Sequence, residues 1–292
     1  MQTCAFTRIK EKVESPSSVA LASLPFQIVD AHVHTKFSGK NNRFSGIPDT
    51  EESLLADMKA NGVIGAIGIT INYDDNMKDL SAINVIHCAG IFEKKVNVKR
   101  LEAGLKSKKF SCIKIYLGYI HQYANDKNYH VAYRLAQKYK VPVVFHTGDT
   151  STANALLKYA DPLQIDEIAV QYRDVNFVIA HLGNLWVETA AEVAYKNENV
   201  YADISAFLVG NFENVSPERW EEYVIKPIRW SFGLMEDPTK LLFGTDWPLA
   251  LMGPYIRAVQ SAIPPEHWED VFYKNAMRVY KIPGLPASAP RK

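Results

Sequence analysis

The chain has 292 residues, 47% of them hydrophobic and 22% charged, a length and composition that suit one α/β barrel with a large core. With 33 basic against 32 acidic residues, no global field steers nucleic acid or an anionic membrane, and no apolar run reaches the roughly 20 residues that span a bilayer; the partner to look for is a small molecule. Three cysteines, Cys4, Cys88 and Cys112, without CxxC spacing argue against a disulfide framework and a thiolate zinc site, and favour a reducing, cytoplasmic setting.

Residues 1–26 read as an N-terminal extension. Their mildly apolar stretch, Val19–Leu24, is short and follows Arg8, Lys10, Glu11, Lys12 and Glu14, the reverse of a secretory signal's order. From Gln27 the chain repeats one grammar: a short β-branched apolar run, a polar turn, then an amphipathic stretch. That alternation predicts parallel strands with crossover helices. Strands are expected near Ile28–Ala31, Val63–Ile69, Val85–Ile91, Cys112–Tyr116, Val141–Phe145, Asn176–Ala180, Val200–Ile204 and Leu241–Gly244. Helix starts are marked by Thr50 before Glu51-Glu52, by Asp161 before Pro162 and by Ser216 before Pro217, and Asn61-Gly62 stops the first helix. The Trp- and Ile-rich segment 216–235 is expected to cover one side of the sheet. Eight βα units without a linker, and no GxGxxG after the first strand, predict a closed (β/α)₈ barrel, a single domain over 27–282, ahead of a flexible C-terminal tail at 283–292.

The chemistry-bearing residues fall at the expected strand ends. In Asp30-Ala31-His32-Val33-His34 the two histidines are i and i+2 on a strand and share one face. Two adjacent imidazoles make a ready pair of metal ligands, although a surface loop also accommodates such a pair. His146 ends the run Val141–Phe145, and His181 ends Phe177–Ala180. Asp246 follows the last strand, which neighbours the first in a closed barrel, so its carboxylate can lie beside His32 and His34. Barrel enzymes draw their catalytic groups from several strands at this face.

The pieces Asp30–His34, Pro142–Gly148, Ala180–Gly183, Tyr201–Ser205, Phe243–Pro248 and Asn275–Tyr280 resemble, in order and spacing, the amidohydrolase superfamily and its amidohydrolase-related branch of TIM-barrel metal-dependent hydrolases. The resemblance implies that His32, His34, His146 and Asp246 hold one divalent metal, with Zn²⁺ first and Mn²⁺ or Fe²⁺ as alternatives. It implies that His181 approaches the metal or acts on water and substrate, and that Asp246 also serves as general base.

Lys114, inside Ile113–Gly118, needs a partner when buried. A substrate carboxylate or an ion pair suits it better than the bridging carbamate of some relatives. Tyr116, Asp203 and Trp247 are candidate pocket residues, Asp203 also as an orienter of His181, while the two aromatics equally suit the core. Lys36, Lys40 and Arg43 can attract an anion, although such a cluster more often is simply a solvated face. His87 reads as a core residue, and His121, His130 and His267 as surface residues. The expected activity is hydrolysis of a small carboxylate-bearing amide, ester or lactone. Non-oxidative decarboxylation or hydration of an aromatic or unsaturated acid is the rival on the same site, and a non-catalytic metal-binding barrel is the third reading. Association into a homo-oligomer is left open.

Overall fold

The computed structural model describes residues 26–70 and 77–285. Most of the N-terminal extension, Cys4 and the end of the tail lie outside the described residues. Eight parallel strands form one sheet in sequence order: β1 (Ile28–His34), β2 (Val63–Ile69), β3 (Val85–Ile91), β4 (Cys112–Ile115), β5 (Val143–Phe145), β6 (Phe177–Ile179), β7 (Val200–Asp203) and β8 (Leu241–Leu242). The helices are α1 (Glu51–Ala60), α2 (Val98–Lys106), α3 (Leu117–Ile120), α4 (His130–Tyr139), α5 (Gln164–Gln171), α6 (Val187–Lys196), α7 (Pro217–Trp220), α8 (Lys226–Met235), α9 (Met252–Ala262) and α10 (Asn275–Tyr280). A π-turn at Glu221–Ile225 joins α7 to α8, so the Trp- and Ile-rich segment is nearly one continuous helix packed on α6. No helix among the described residues is long and apolar enough to cross a membrane.

Strand alternation builds two cores. Val29, Ala31, Ile67, Ile69, Ile86, Cys88, Cys112, Val144, Val178 and Leu242 form the inner set, joined by Met277 and Tyr280 of α10. The intervening residues, such as Ala66, Ala89, Ile113, Phe145, Phe177, Ile179 and Leu241, pack outward against the helices. Each strand is therefore apolar on both sides, and reads as a continuous run in sequence.

The N-cap signals work as side-chain acceptors: Thr50 Oγ1 accepts from Ser53 N at 3.2 Å and Ser216 Oγ from Arg219 N at 3.3 Å. Asp161 instead caps a turn, accepting from Leu163 N at 2.9 Å, and α5 begins only at Gln164.

One expectation is overturned. Cys88 and Cys112 form a disulfide. They are 24 residues apart in sequence, but β3 and β4 pair with Cys88 opposite Cys112, both in the inner set, at a Cα–Cα distance of 4.3 Å. Spacing motifs cannot reveal a bridge that is created by register between neighbouring strands. The expectation of a reducing compartment, which rested on unpaired thiols, loses that basis.

His87 lies on the outward side of β3, 4% exposed, against Gly68 of β2. A Cβ on Gly68 would approach the imidazole ring to 2.7 Å, so glycine is what makes room for it. Burial lowers the His87 pKa to about 4 from 6.5. Between those values the unfolded chain takes up a proton that the folded chain refuses, so stability falls as pH falls through that window. Urea unfolding at pH 7 and 4.5 should show His87→Leu losing about 2 kcal/mol less over that interval than the wild type. Equal losses would mean that His87 titrates normally.

Candidate metal centre

The carboxyl ends of the strands surround a cavity of about 720 Å³. His32, His34, His146, His181 and Asp246 all line it. His34 Nε2 lies 2.8 Å and His32 Nε2 3.4 Å from Asp246 Oδ1. Neither contact has hydrogen-bond geometry, and this buried oxygen has no hydrogen-bond partner among the described residues. Nitrogen and oxygen donors of this trio all lie within 4.8 Å of one another. A carboxylate oxygen left unsatisfied between two imidazoles fits a divalent cation, and two histidines with one carboxylate are an ordinary donor set for zinc or manganese.

The proton positions follow from the neighbours. Asp203 Oδ2 lies 3.0 Å from His32 Nδ1. Although burial acts to raise it, His32 holds the Asp203 carboxyl well below the usual range, so it is ionised and Nδ1 carries the donated proton. His32 Nε2 is left with its lone pair toward Asp246. Asp203 Oδ1 also accepts from Ser205 Oγ at 2.5 Å and from the backbone N–H groups of His181 and Ser205, at 3.1 and 3.2 Å.

Because the Ser205 hydroxyl donates to Asp203, it accepts from His181 Nδ1 at 2.9 Å. Likewise His146 Nε2 donates to the carbonyl of Asp149 at 2.8 Å. His181 Nε2 and His146 Nδ1, which face each other at 3.2 Å, then both present lone pairs. Burial first, and His32 next, lowers the His181 pKa to about 3. Burial and the adjacent His181 lower that of His146, and burial and Lys114 that of His32. All three imidazoles are neutral at pH 7, the state that ligates metal. Burial acts to raise Asp246 as well, but His34 beside it holds its carboxyl well below the usual range.

The backbone is bent to reach this arrangement. His181, Leu182 and Asp246 all have positive φ, of 61°, 44° and 70°, which costs an L-residue roughly 1–2 kcal/mol each. Asp203 offsets part of this by holding the His181 amide. Gly148, at φ 79°, passes so close to the next loop that a Cβ would lie 2.4 Å from the Asn184 carbonyl oxygen. Only glycine lets the loops carrying His146 and His181 meet.

Among the remaining sequence-picked residues, Tyr116 lines the cavity and donates its hydroxyl to Thr70 O at 2.9 Å. Lys114, Asp203 and Trp247 do not line it. Lys114 is fully buried beneath the imidazoles with no hydrogen-bond partner for Nζ among the described residues, 5.5 Å from the Tyr116 ring centroid. Burial lowers its pKa to about 8, against the opposing pull of Asp203 and Asp246. Trp247 is buried and packs edge-on against Phe37.

Sequence reasoning missed Phe92 and Tyr119, which with Tyr116 build an aromatic wall with centroid spacings of 5.2–6.2 Å. Tyr119 reaches His146 at 4.9 Å. Both follow strand ends by a few residues, so looking past β3 and β4 would have found them. Asp149, Ser151, Thr152 and Asn184 form a polar side, and Arg43 is the one Lys or Arg among the described lining residues.

Fold and site together define a TIM-barrel protein of the amidohydrolase superfamily. The family model described as Amidohydrolase matches residues 85–282, and the chain belongs to that family. The match begins after β2, so His32 and His34 lie outside it. No curated protein matches the chain in sequence. Solved structures do match. A probable 2-pyrone-4,6-dicarboxylic acid hydrolase from Acinetobacter baumannii with citric acid bound is 14% identical, covering 88% of this chain and 100% of that one, with a TM-score of 0.60. The 5-carboxyvanillate decarboxylase of Novosphingobium aromaticivorans, complexed with manganese and a nitrobenzoic acid, is 12% identical over 88% and 96%, with a TM-score of 0.57. An amidohydrolase from Burkholderia multivorans with bound zinc is 14% identical over 88% and 100%, with a TM-score of 0.57. At these identities the likeness is one of fold. The family and these neighbours are enzymes, hydrolases and a decarboxylase among them.

Proposed function

We propose that this protein is a one-metal hydrolase, zinc-loaded, acting on a small amide, ester or lactone that bears a carboxylate. The observation that carries this reading is the buried, unsatisfied Asp246 Oδ1 between His32 Nε2 and His34 Nε2 in the wall of the cavity at the strand ends. His32, His34 and Asp246 would hold the cation, and His146, which lines the same cavity with an unprotonated Nδ1, would be its fourth donor. A divalent metal there supplies Lewis acidity and brings the pKa of water toward about 7. Asp246 accepts the proton from water and returns it to the leaving group. Neutral His181, its Nδ1 proton fixed on Ser205, offers Nε2 to a proton on water or substrate.

Arg43 takes the substrate's carboxylate. It sits at the tip of a short hairpin, stacked on Phe44 at 4.4 Å, and Ser45 ties that tip to the Pro248 carbonyl at 2.5 Å, next to Asp246. Lys114 balances the negative charge of Asp203 and Asp246 from below.

The aromatic wall favours a second reading, decarboxylation of a benzoate-type acid, because Phe92, Tyr116 and Tyr119 form a surface onto which a planar ring can lie. Metal analysis should find about one equivalent of zinc or manganese, and the loaded protein should release acid from carboxylated lactones or esters. Carbon dioxide release from hydroxybenzoates instead would assign the second reading. Absence of tight metal binding would sink both and leave a non-catalytic barrel. Arg43→Ala should raise KM about tenfold or more for the carboxylated substrate and leave its neutral analogue unaffected.

A further inference from the structure

The barrel closes between β8 and β1, and there the ladder is irregular. On its other side β1 pairs with β2 through a bulge: Asp30 lies opposite Ala66 and Val33 opposite Gly68, so three steps of β1 match two of β2. Toward β8 the backbone bonds run Ala31 N to Phe243 O, Asp246 N to His32 O and His34 N to Trp247 O. Between the first two of these, a regular parallel ladder would give the Thr245 N–H a carbonyl on β1. It has none. Thr245 N donates instead to Asp30 Oδ1 at 3.0 Å, and His32 N donates to the same oxygen at 3.0 Å. Thr245 Oγ1 donates to Asp30 Oδ2 at 2.6 Å and accepts from Trp247 N at 3.1 Å. The Asp30–Thr245 pair thus takes two backbone N–H groups, of His32 and Thr245, that the irregular seam leaves without a strand carbonyl, and Thr245 Oγ1 adds a bond to Trp247 N where that residue bridges Val33 of β1, at the level where His32 and Asp246 meet. Both residues are fully buried.

We propose that Asp30, with Thr245, is the positioning pair of the metal centre: it fixes the separation of the His32- and Asp246-bearing segments and so sets metal affinity. This rests on the reading of His32, His34 and Asp246 as ligands. Asp30 touches no ligand donor atom and contributes no charge to the cation's inner sphere. It acts through the two main chains. A single carboxylate oxygen accepting from both segments makes their offset a property of one side chain, where an ordinary ladder would spread it over several weak bonds.

The test uses Co²⁺ and Zn²⁺ with the intact chain, reading dissociation constants by chelator competition and the visible d–d absorption of the Co²⁺ form. Asp30→Asn keeps an oxygen for both backbone donors and reverses the bond to Thr245 Oγ1; it should bind within about threefold of wild type with an unchanged spectrum. Asp30→Ala should weaken binding by about 10–100-fold and alter the spectrum, the range known for residues that orient ligands without touching metal. Thr245→Val should fall between them. Leu101→Ala in α2, buried and remote, should lower Tm without moving affinity or spectrum. Wild-type affinity and spectrum in folded Asp30→Ala and Thr245→Val would overturn the positioning role while leaving the ligand assignment standing. If Asp30→Ala does not fold, wild-type values in Thr245→Val overturn it. A wild type that binds neither ion would overturn the ligand reading itself.

Discussion

Asp246→Asn should lower kcat by at least about 10³-fold while the protein folds normally. The substitution keeps the side chain's size. It also keeps the main-chain bonds that place residue 246, from its N–H to His32 O at 2.8 Å and from Leu249 N to its carbonyl at 2.9 Å. What it removes is the anion. Asn cannot accept and return a proton, and its amide nitrogen can offer no lone pair to the cation between His32 and His34. A 10³-fold loss corresponds to about 4 kcal/mol of transition-state stabilisation. The Tm should stay close to wild type: Lys114, buried below, loses part of its balancing charge, yet desolvation of the carboxylate is also avoided. Steady-state kinetics, metal content and thermal unfolding measured on one preparation check this. Activity within tenfold of wild type on a confirmed substrate would remove Asp246 from the role of base under either the hydrolase or the decarboxylase reading.

The parts of this molecule that sequence reveals are those written in local periodicity. β2 and β3 lie where the apolar runs end, because Asn61-Gly62 and the 3₁₀ turn at Ser81–Ile83 punctuate them. β1 runs through His34, three residues beyond its apolar run, because the bulge carries two imidazoles along with the strand. β8 is shorter than Leu241–Gly244, because after Leu242 the chain gives up ladder bonds to reach the left-handed turn at Asp246. The convergence of His32, His34 and Asp246 is legible because each lies at a strand end and β1 adjoins β8. The Cys88–Cys112 bridge, the Asp30–Thr245 pair and the Ser205 link between Asp203 and the His181 ring are not legible. They depend on register between strands up to 215 residues apart, which no single segment encodes. Phe92 and Tyr119 escaped for a different reason: they lie just past the ends of β3 and β4, beyond the strand-end positions that periodicity marks.

Asp203→Asn should leave the fold in place and still cost about 10–100-fold in metal affinity, with a loss of turnover approaching the ~10⁴-fold known when a buried aspartate that sets a catalytic histidine's tautomer is changed to asparagine. The two oxygens of Asp203 have separate duties. Oδ1 accepts from His181 N, Ser205 N and Ser205 Oγ, whereas Oδ2 faces His32 Nδ1 alone. An asparagine places its oxygen on the side with three donors and its NH₂ toward His32. Two N–H groups cannot face each other, so His32 must move its proton to Nε2 and turn Nδ1 into the acceptor. The lone pair that pointed at Asp246 Oδ1 and the cation becomes an N–H, in a side chain that has not otherwise moved. Asp203→Ala removes both duties together and should also destabilise the protein, by about 3–5 kcal/mol, because buried donors lose their acceptor. The contrast is the test. Chelator competition and the ring ¹⁵N shifts of His32 should report a tautomer switch in Asp203→Asn with Tm near wild type. If Asp203→Asn binds metal as tightly as wild type with Nδ1 still protonated, then Asp203 serves the loop around His181 and not the tautomer of His32.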